Sequence, residues 1–353
     1  MPRAFARAQI LPPMLLFALA TLLPLALLLA GAALGGLWVL PGVVAIGLLT
    51  AMLDHLMRIT APDAPEGAEF PAADALLVVL ALCHLAALPL AVWAIAGDSG
   101  ISAAGRVLLF LGFGQFFGQV SNPAAHELIH RGGRGLFRLG VAVYASLLNG
   151  HHVSAHRLVH HRHVATDADP NSARSGEGYY RFLLRAWPGS FRAGLAAETA
   201  LRAKGRRGLH PYAVYVLGAG AGLLTGAAIA GWAGLAVWAG LALFATAELY
   251  LSDYVQHYGL RRRILPDGRP EPVGDRHSWN APHWASSGLM LNAPRHSDHH
   301  AHPSRPYPAL RLPEPDQAPW LPHSLPVCSV IALSPPHWRR MMRPHVKKWL
   351  PEA

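Results

Sequence analysis

Cysteine is almost missing from this chain of 353 residues, which has two, Cys83 and Cys328. They lie far apart, so there is no disulfide framework. No C-x-x-C pair exists to hold zinc, a rubredoxin-type iron or a redox disulfide. Charge is scarce as well: Asp, Glu, Lys and Arg make up 14% of the residues, against 52% hydrophobic. A soluble domain carries about 25% charged residues, so the composition is that of an integral membrane protein. There is no flavin or NAD fingerprint.

The apolar residues come in long runs. Residues 10–53 hold no charged side chain, which is too long for one span or for a signal-peptide core. Gly31, Gly35 and Gly36 interrupt the run and predict two helices, about 11–31 and 37–57, joined by a tight turn. Further apolar runs cover about 74–96, 103–126, 211–231 and 234–256, the last two divided by the short "GWAG" turn. Each can cross about 30 Å of hydrocarbon at about 1.5 Å per residue. The expected fold class is therefore all-α, a six-transmembrane-helix bundle with a cytoplasmic cap, in one domain over residues 1–353. The cytoplasmic segments would be about 127–210 and 257–353. The shorter stretch 136–149 reads as interfacial or re-entrant. Residues 177–207 mix Arg with Trp, Phe, Tyr and Leu, as a helix in the headgroup region would. The glycine-rich run 218–231 suits close helix packing.

Basic residues orient this topology. The far-side loops 32–36, 97–102 and 232–233 contain no Lys or Arg, and only Arg106 comes near that side. The rest of the 30 basic residues lie toward the other face, which the positive-inside rule makes cytoplasmic.

Histidine is the residue in excess. Of 21, eight fall in 126–163 and six in 277–302, all on the inferred cytoplasmic side. "HELIHR" sets His126 and His130 four apart, on one helical face about 6 Å of rise apart. "HRLVHH" supplies His156, His160 and His161. "DYVQHYGL" supplies His257 at the end of the last span, and "HSDHH" supplies His296, His299 and His300. Nine imidazoles suit two ions better than one, although nitrogen ligands alone do not distinguish iron, copper, zinc or nickel.

Three histidine boxes, "HELIHR", "HRLVHH" and "HSDHH", resemble the shared signature of membrane di-iron enzymes: desaturases, hydroxylases and alkane hydroxylases. Within that group "HELIHR", "DYVQHYGL", "RHSWN", "PRHSDHHAHPSRPYPALR", "HRHVATDADPNSARSGEGYYRF" and "PPHWRRMMRP" resemble the alkane 1-monooxygenase family and its relatives that hydroxylate aromatic methyl groups. The resemblance covers about residues 40–345. It implies two non-haem iron ions held by the nine histidines, with O2 as co-substrate. It also implies oxidation of a terminal C–H bond of an alkane or alkyl chain to a primary alcohol. Electrons would come from NAD(P)H through a reductase and a rubredoxin or ferredoxin-like carrier, with the enzyme in a bacterial inner membrane among lipids. No nucleic-acid partner is expected. Basic residues Arg181, Arg185, Arg192, Arg202, Lys204, Arg206 and Arg207 could steer an acidic carrier, or equally bind lipid headgroups. The chain departs from the family pattern at Ala155, Val159, Asp253 and Gln256, where the family has Glu, Gly, Asn and Glu.

Around the ligands, Glu127, Asp253, Gln256, Asp298 and His277 are candidates to orient imidazoles, with Asp298 accepting a ring N–H. His151, His152 and His163 flank the second box as supporting or surface residues. His283, His302, His323, His337 and His345 read as bystanders facing solvent, and His55 and His84 as non-ligands near the spans. Asp54 reads as an interfacial carboxylate or part of a cavity mouth. Trp93, Phe113, Phe116 and Phe117 read as packing, lipid-facing or channel residues. The small residues Gly42, Ala45, Gly47 and Ala51 of the second span would leave a longer channel open. Alternative readings are an aromatic-methyl hydroxylase, a fatty-acyl desaturase or hydroxylase, and a histidine-rich metal transporter. Transport requires ligands near the bilayer midplane, whereas these boxes gather at one face.

Overall fold

The computed structural model describes residues 5–205 and 207–350, so Arg206 lies outside the described residues. The chain is mostly helical. Helices α1 (Pro13–Leu34) and α2 (Gly36–Met57) form a hairpin whose turn uses Gly35 and Gly36 at φ 64° and 55°. Both lie in the left-handed region that glycine enters without strain. The helices approach closely: a Cβ on Gly42 would lie 2.7 Å from the Leu28 backbone nitrogen. Gly42 is thus a packing glycine, and no part of a channel wall. Helix α3 (Ala72–Ala96) precedes α4, which runs without a break over 103–130. The turn between them, 97–102, is tied by Arg106, whose guanidinium donates to the carbonyls of Ile95, Gly97 and Ile101 at 2.8–3.0 Å.

Helix α5 (Arg134–Ser146) lies against α4 and buries Gly140, Val143 and Tyr144, so the apolar 136–149 stretch is a packed helix. Helix α6 (152–163) carries the second histidine box. Helix α7 (Tyr179–Ala203) buries Tyr179, Phe182, Ala186, Ser190, Gly194 and Glu198 along one face. That spacing is the apolar stripe of a 3.6-residue period. Its other face exposes Tyr180, Leu184, Phe191 and Leu195.

Helix α8 (Pro211–His257) is a hairpin. Ala230 and Gly231 leave helical geometry, with Gly231 at φ 57°. The two arms, 211–229 and 232–257, fold back on each other: a Cβ on Gly226 would meet the Gly234 carbonyl oxygen at 2.8 Å, and one on Gly222 would meet Trp238 at 2.9 Å. The glycine run therefore lets two backbones touch.

Among the described residues, four helices are long and apolar enough to cross a membrane: α1, α2, α3 and α8. Their outward surfaces carry Leu15, Leu19, Leu23, Leu48, Leu224 and Trp232. Exposed apolar surface on this scale is unfavourable in water and suits contact with lipid. The chain is a membrane protein.

The remaining segment, 258–350, folds back beneath the helix ends and carries α9 (Trp284–Leu289), α10 (His296–Ala301), α11 (Leu325–Ala332) and α12 (Pro335–Trp349). Asp54 of α2 accepts from the Ala285 and Ser286 backbone N–H groups at 3.0 and 3.1 Å. It caps α9, a role that neither sequence reading had included. A short parallel pair, Ala6–Arg7 with Ile59–Thr60, ties the N-terminal strand to the end of α2.

Candidate metal centre

The histidine boxes occupy the ends of α4, α6, α8 and the short α10. Two groups form where these ends meet. His126, His130, His156, His161 and His299 make one, and His160, His257, His296 and His300 make the other. Within each, the ring nitrogens lie within 4.8 Å of one another. The groups adjoin, with the rings of His161 and His300 centred 4.7 Å apart.

Helix geometry explains the sorting. His126 and His130 are four apart on regular helix and share a face. In α6 the backbone forms a π turn over His156–His160. On an α-helix, positions five apart are about 140° apart around the axis, while an i→i+5 turn brings them nearly into line. His156 and His161 therefore share a group, with Nε2 atoms 2.9 Å apart, and His160 turns into the other. On α10, His296 and His300 are four apart and share the second group, while His299 reaches the first.

The Nε2 atoms face one another. His156 Nε2 lies 2.7, 3.1 and 2.9 Å from those of His126, His130 and His161, and His299 Nε2 lies 3.2 Å from that of His161. In the second group His296 Nε2 is 3.0 Å from His257 and 3.1 Å from His300, while buried His160 Nε2 has no hydrogen-bond partner. Burial holds His156, His161, His296, His299 and His300 well below the ordinary imidazole pKa, and neighbouring imidazoles push further in that direction. These rings are neutral at neutral pH. A neutral imidazole has one N–H and one lone pair, so one Nε2 facing three others cannot satisfy them all. A cation that accepts several lone pairs can. The donor set fits metal.

Asp169 supports this arrangement, and sequence reasoning had not singled it out. Its Oδ2 lies 2.8 Å from His160 Nδ1 and accepts from Ser172 Oγ at 2.7 Å, and its Oδ1 accepts from the Asn171 N–H at 3.0 Å. Burial opposes both charges, but the partnership prevails: it raises His160 and lowers Asp169 from their ordinary values. With the proton on Nδ1, Nε2 presents its lone pair to the group. Two further positioning residues were also missed. Asn280 bonds Ser297 twice, through Nδ2 to Oγ at 2.6 Å and through Oδ1 from the backbone N–H at 3.0 Å. Buried Arg295 donates to Asp63 at 2.6 Å, the Leu310 carbonyl at 2.7 Å and the Ala61 carbonyl at 2.6 Å, clamping the start of the third box. Both sit in quoted motifs, "RHSWN" and "RHSDHH". Sequence shows that they are near the box but not what they bond.

The expected orienting residues have other partners. Asp298 accepts from Arg305 and, at 2.9 Å, from the Arg311 N–H, and bonds no metal-group ring. His302 reaches its carboxylate at 4.0 Å. Glu127 accepts from Arg131 and from the Tyr307 N–H, each at 3.1 Å, joining the first box to the segment after the third. Asp253 accepts from Asn171 Nδ2 at 2.7 Å. Gln256 donates to the Ala293 carbonyl at 3.0 Å. The His277 ring lies 3.1 Å from Glu271, while its backbone bonds the ring of His257. His152 stacks on His156 at 5.0 Å but joins neither group. His84 is buried against Ser146 Oγ at 2.9 Å.

A cavity of about 640 Å³ reaches both groups, with His126, His156, His296 and His299 in its wall. Gly47 and Ala51 of α2 line it, whereas Phe113, Phe116 and Phe117 are fully buried in the core and Trp93 faces outward. Leu48 and Val330 line the cavity and are also exposed, at 59% and 69%, so it opens on the apolar surface.

Residues 101–327 match the family model described as fatty acid desaturase. An alkane 1-monooxygenase from Pseudomonas putida is 33% identical over 277 residues, 75% of this chain and 66% of the relative. The chain thus spans just under two thirds of that protein's length. Alkane 1-monooxygenase 2 of Pseudomonas aeruginosa is 31% identical over 323 residues, 88% of this chain and 84% of the relative. The xylene/toluene monooxygenase hydroxylase component of Pseudomonas putida is 27% identical over 237 residues, 64% of this chain and 61% of the relative. The chain belongs to the alkane 1-monooxygenase family of membrane enzymes, within the wider fatty acid desaturase family.

Proposed function

We propose that this chain hydroxylates the terminal carbon of a medium- or long-chain alkane or alkyl chain to a primary alcohol. The observation that carries this is the meeting of nine histidines, in two groups, with the wall of one apolar cavity that opens on the lipid-facing surface. The groups would hold two iron ions, one by five imidazoles and one by four. When bound, the iron pair supplies O2 reduction and removal of hydrogen from an unactivated C–H bond, chemistry that no side chain can perform.

The chain's own residues do the rest. The apolar wall, with Ile46, Leu48, Phe244 and Leu249, excludes water and takes a hydrocarbon from the bilayer. His126, His156, His296 and His299 mark the end at which the reacting carbon stops. Asp169 holds a proton on His160 Nδ1 and keeps Nε2 free to ligate. The closer similarity to enzymes named for alkanes than to the one named for xylene and toluene favours an aliphatic substrate over an aromatic methyl group.

The same reading makes the protein a single domain with six spans, α1 to α4 and the two arms of α8, in a bacterial inner membrane with the histidine groups on the cytoplasmic side. Electrons come from NAD(P)H through a reductase and a rubredoxin or ferredoxin-like carrier. Arg181, Arg192, Lys204 and Arg207 on and after α7 are exposed and suit an acidic partner, whereas Arg185 is engaged with Glu177. Purified protein should hold close to two irons and convert n-decane to 1-decanol with NADH, reductase and carrier. One iron or none, with zinc in its place, would overturn the proposal.

A further inference from the structure

An alkane needs no hydrogen-bonding partner, yet three polar side chains face the cavity away from the metal groups. Gln115 and Gln119 lie on α4 and Glu248 on the second arm of α8, among Ile46, Leu48, Phe244 and Leu249. The Gln119 side chain bonds the Glu248 carboxyl. Glu248 Oε2 and Gln115 Oε1 are buried and have no partner. Glycines make room for both: a Cβ on Gly118 would collide with Glu248 Oε2, and one on Gly47 would lie 3.1 Å from Gln115 Oε1. A buried polar atom left unpaired costs about 1–3 kcal/mol, so an occupant that is hydrocarbon along its whole length leaves this cost in place.

From this arrangement we infer that the substrate carries a hydroxyl group at the end remote from the reacting carbon, and that Gln115 and Glu248 bind it. The inference rests on the hydroxylase reading above and narrows its substrate class. Gln115 Oε1 can only accept, so the missing group is a donor to it, and an O–H supplies one while also able to donate to or accept from the Glu248 carboxyl. Glu248 precedes His257 by nine residues and Gln115 precedes His126 by eleven, which along a helix is about 14 Å and about 16–17 Å. At about 1.25 Å per methylene of an extended chain, the shorter separation fits a primary alcohol of roughly ten to eleven carbons. The reaction balances as HO–(CH2)n–CH3 + O2 + 2 e⁻ + 2 H⁺ → HO–(CH2)n–CH2OH + H2O. The electrons come from the external carrier and one oxygen atom leaves as water. The product is an α,ω-diol. An enzyme that makes primary alcohols from alkyl chains must supply this substrate.

The test compares n-decane, 1-decanol and 1-methoxynonane, of similar length, with holoenzyme in lipid nanodiscs. The ether keeps an oxygen acceptor but has no donor. The expected result is a kcat/KM for 1-decanol about tenfold above that for 1-methoxynonane, with 1,10-decanediol as product. In Glu248→Leu and Gln115→Leu, which alter different helices, that ratio should fall to near one while n-decane turnover and iron content persist. Equal rates for alcohol and ether in the unaltered enzyme overturn the inference. So does an alcohol-to-ether ratio that both variants leave unchanged. If no substrate of the three is oxidised by iron-loaded enzyme, the hydroxylase reading itself fails. Decane oxidation without alcohol preference leaves that reading standing and removes only this one.

Discussion

Replacing Asp169 with Asn tests whether the second group works as a ligand set. The carboxylate meets three groups at once: the His160 ring at 2.8 Å, Ser172 Oγ at 2.7 Å and the Asn171 N–H at 3.0 Å. Asn has one acceptor oxygen and one NH2. If the oxygen faces His160, the NH2 confronts the Asn171 N–H, donor against donor. If the NH2 faces His160, it needs a lone pair on Nδ1, and the ring proton moves to Nε2. That blocks the lone pair a metal would use. Either outcome costs ligation, and loss of such a partner typically lowers metal affinity about 10–100-fold. The corresponding free energy is about 1.4–2.8 kcal/mol.

The measurement is iron per protein after equilibration with graded chelator. Asp169→Asn should shift the chelator midpoint by about one to two decades for one of the two ions. The other ion should be little affected, since the first group has five histidines and does not include His160. Circular dichroism checks that the fold persists. If both ions leave at unchanged chelator concentration from a folded variant, Asp169 does not set the His160 tautomer. A parallel loss of both would mean that the groups do not act as separate sites.

Three other outcomes are expected. His152→Ala should keep both irons while His299→Ala loses iron, since His152 stacks on His156 outside both groups; metal analysis distinguishes them. Gly226→Val should destabilise the α8 hairpin by about 1–3 kcal/mol, because a Cβ there would lie 2.8 Å from the Gly234 carbonyl oxygen; thermal unfolding monitored by size-exclusion chromatography should show a lowered midpoint. Glu177 is desolvated, but its bonds to Arg185 and the Arg174 N–H hold its pKa below the ordinary glutamate value. A depressed carboxylate contributes stability above its unfolded pKa that is lost as pH falls through the folded one. Amide protection in 174–185, taken relative to the intrinsic exchange rate at each pH, should therefore fall as pH drops below about 4.5, and Glu177→Gln should remove that dependence.

Much of the fold was legible because spans are written in one dimension. Runs without charge and glycines at the turns located α1, α2, α3 and α8 to within a few residues. The turn read at 232–233 within "GWAG" lies two residues earlier, at Ala230 and Gly231, where left-handed geometry calls for glycine. Less visible was the extension of α4 past the apolar run to His130, because the polar "HELIH" is stabilised by neighbours rather than by lipid. The same holds for Asp54. A carboxylate at the end of a span looks interfacial until the Ala285 and Ser286 N–H groups, 231 and 232 residues away, arrive to meet it.

The site illustrates a sharper limit. Spacing shows that histidines are near one another, but which of them share a group depends on helical phase. Read as an α-helix, "HRLVHH" pairs His156 with His160 and sends His161 around the axis. The π turn reverses this, pairing His156 with His161 and releasing His160 to the second group. One inserted residue per turn is what allows a single short helix to serve both groups. Asp169 then holds the released ring from outside, nine residues along the chain. A substitution that restored regular α-helix over 156–160 would leave every histidine in place and still dismantle the five-and-four division. Composition locates the metal chemistry in this chain, and backbone phase divides it.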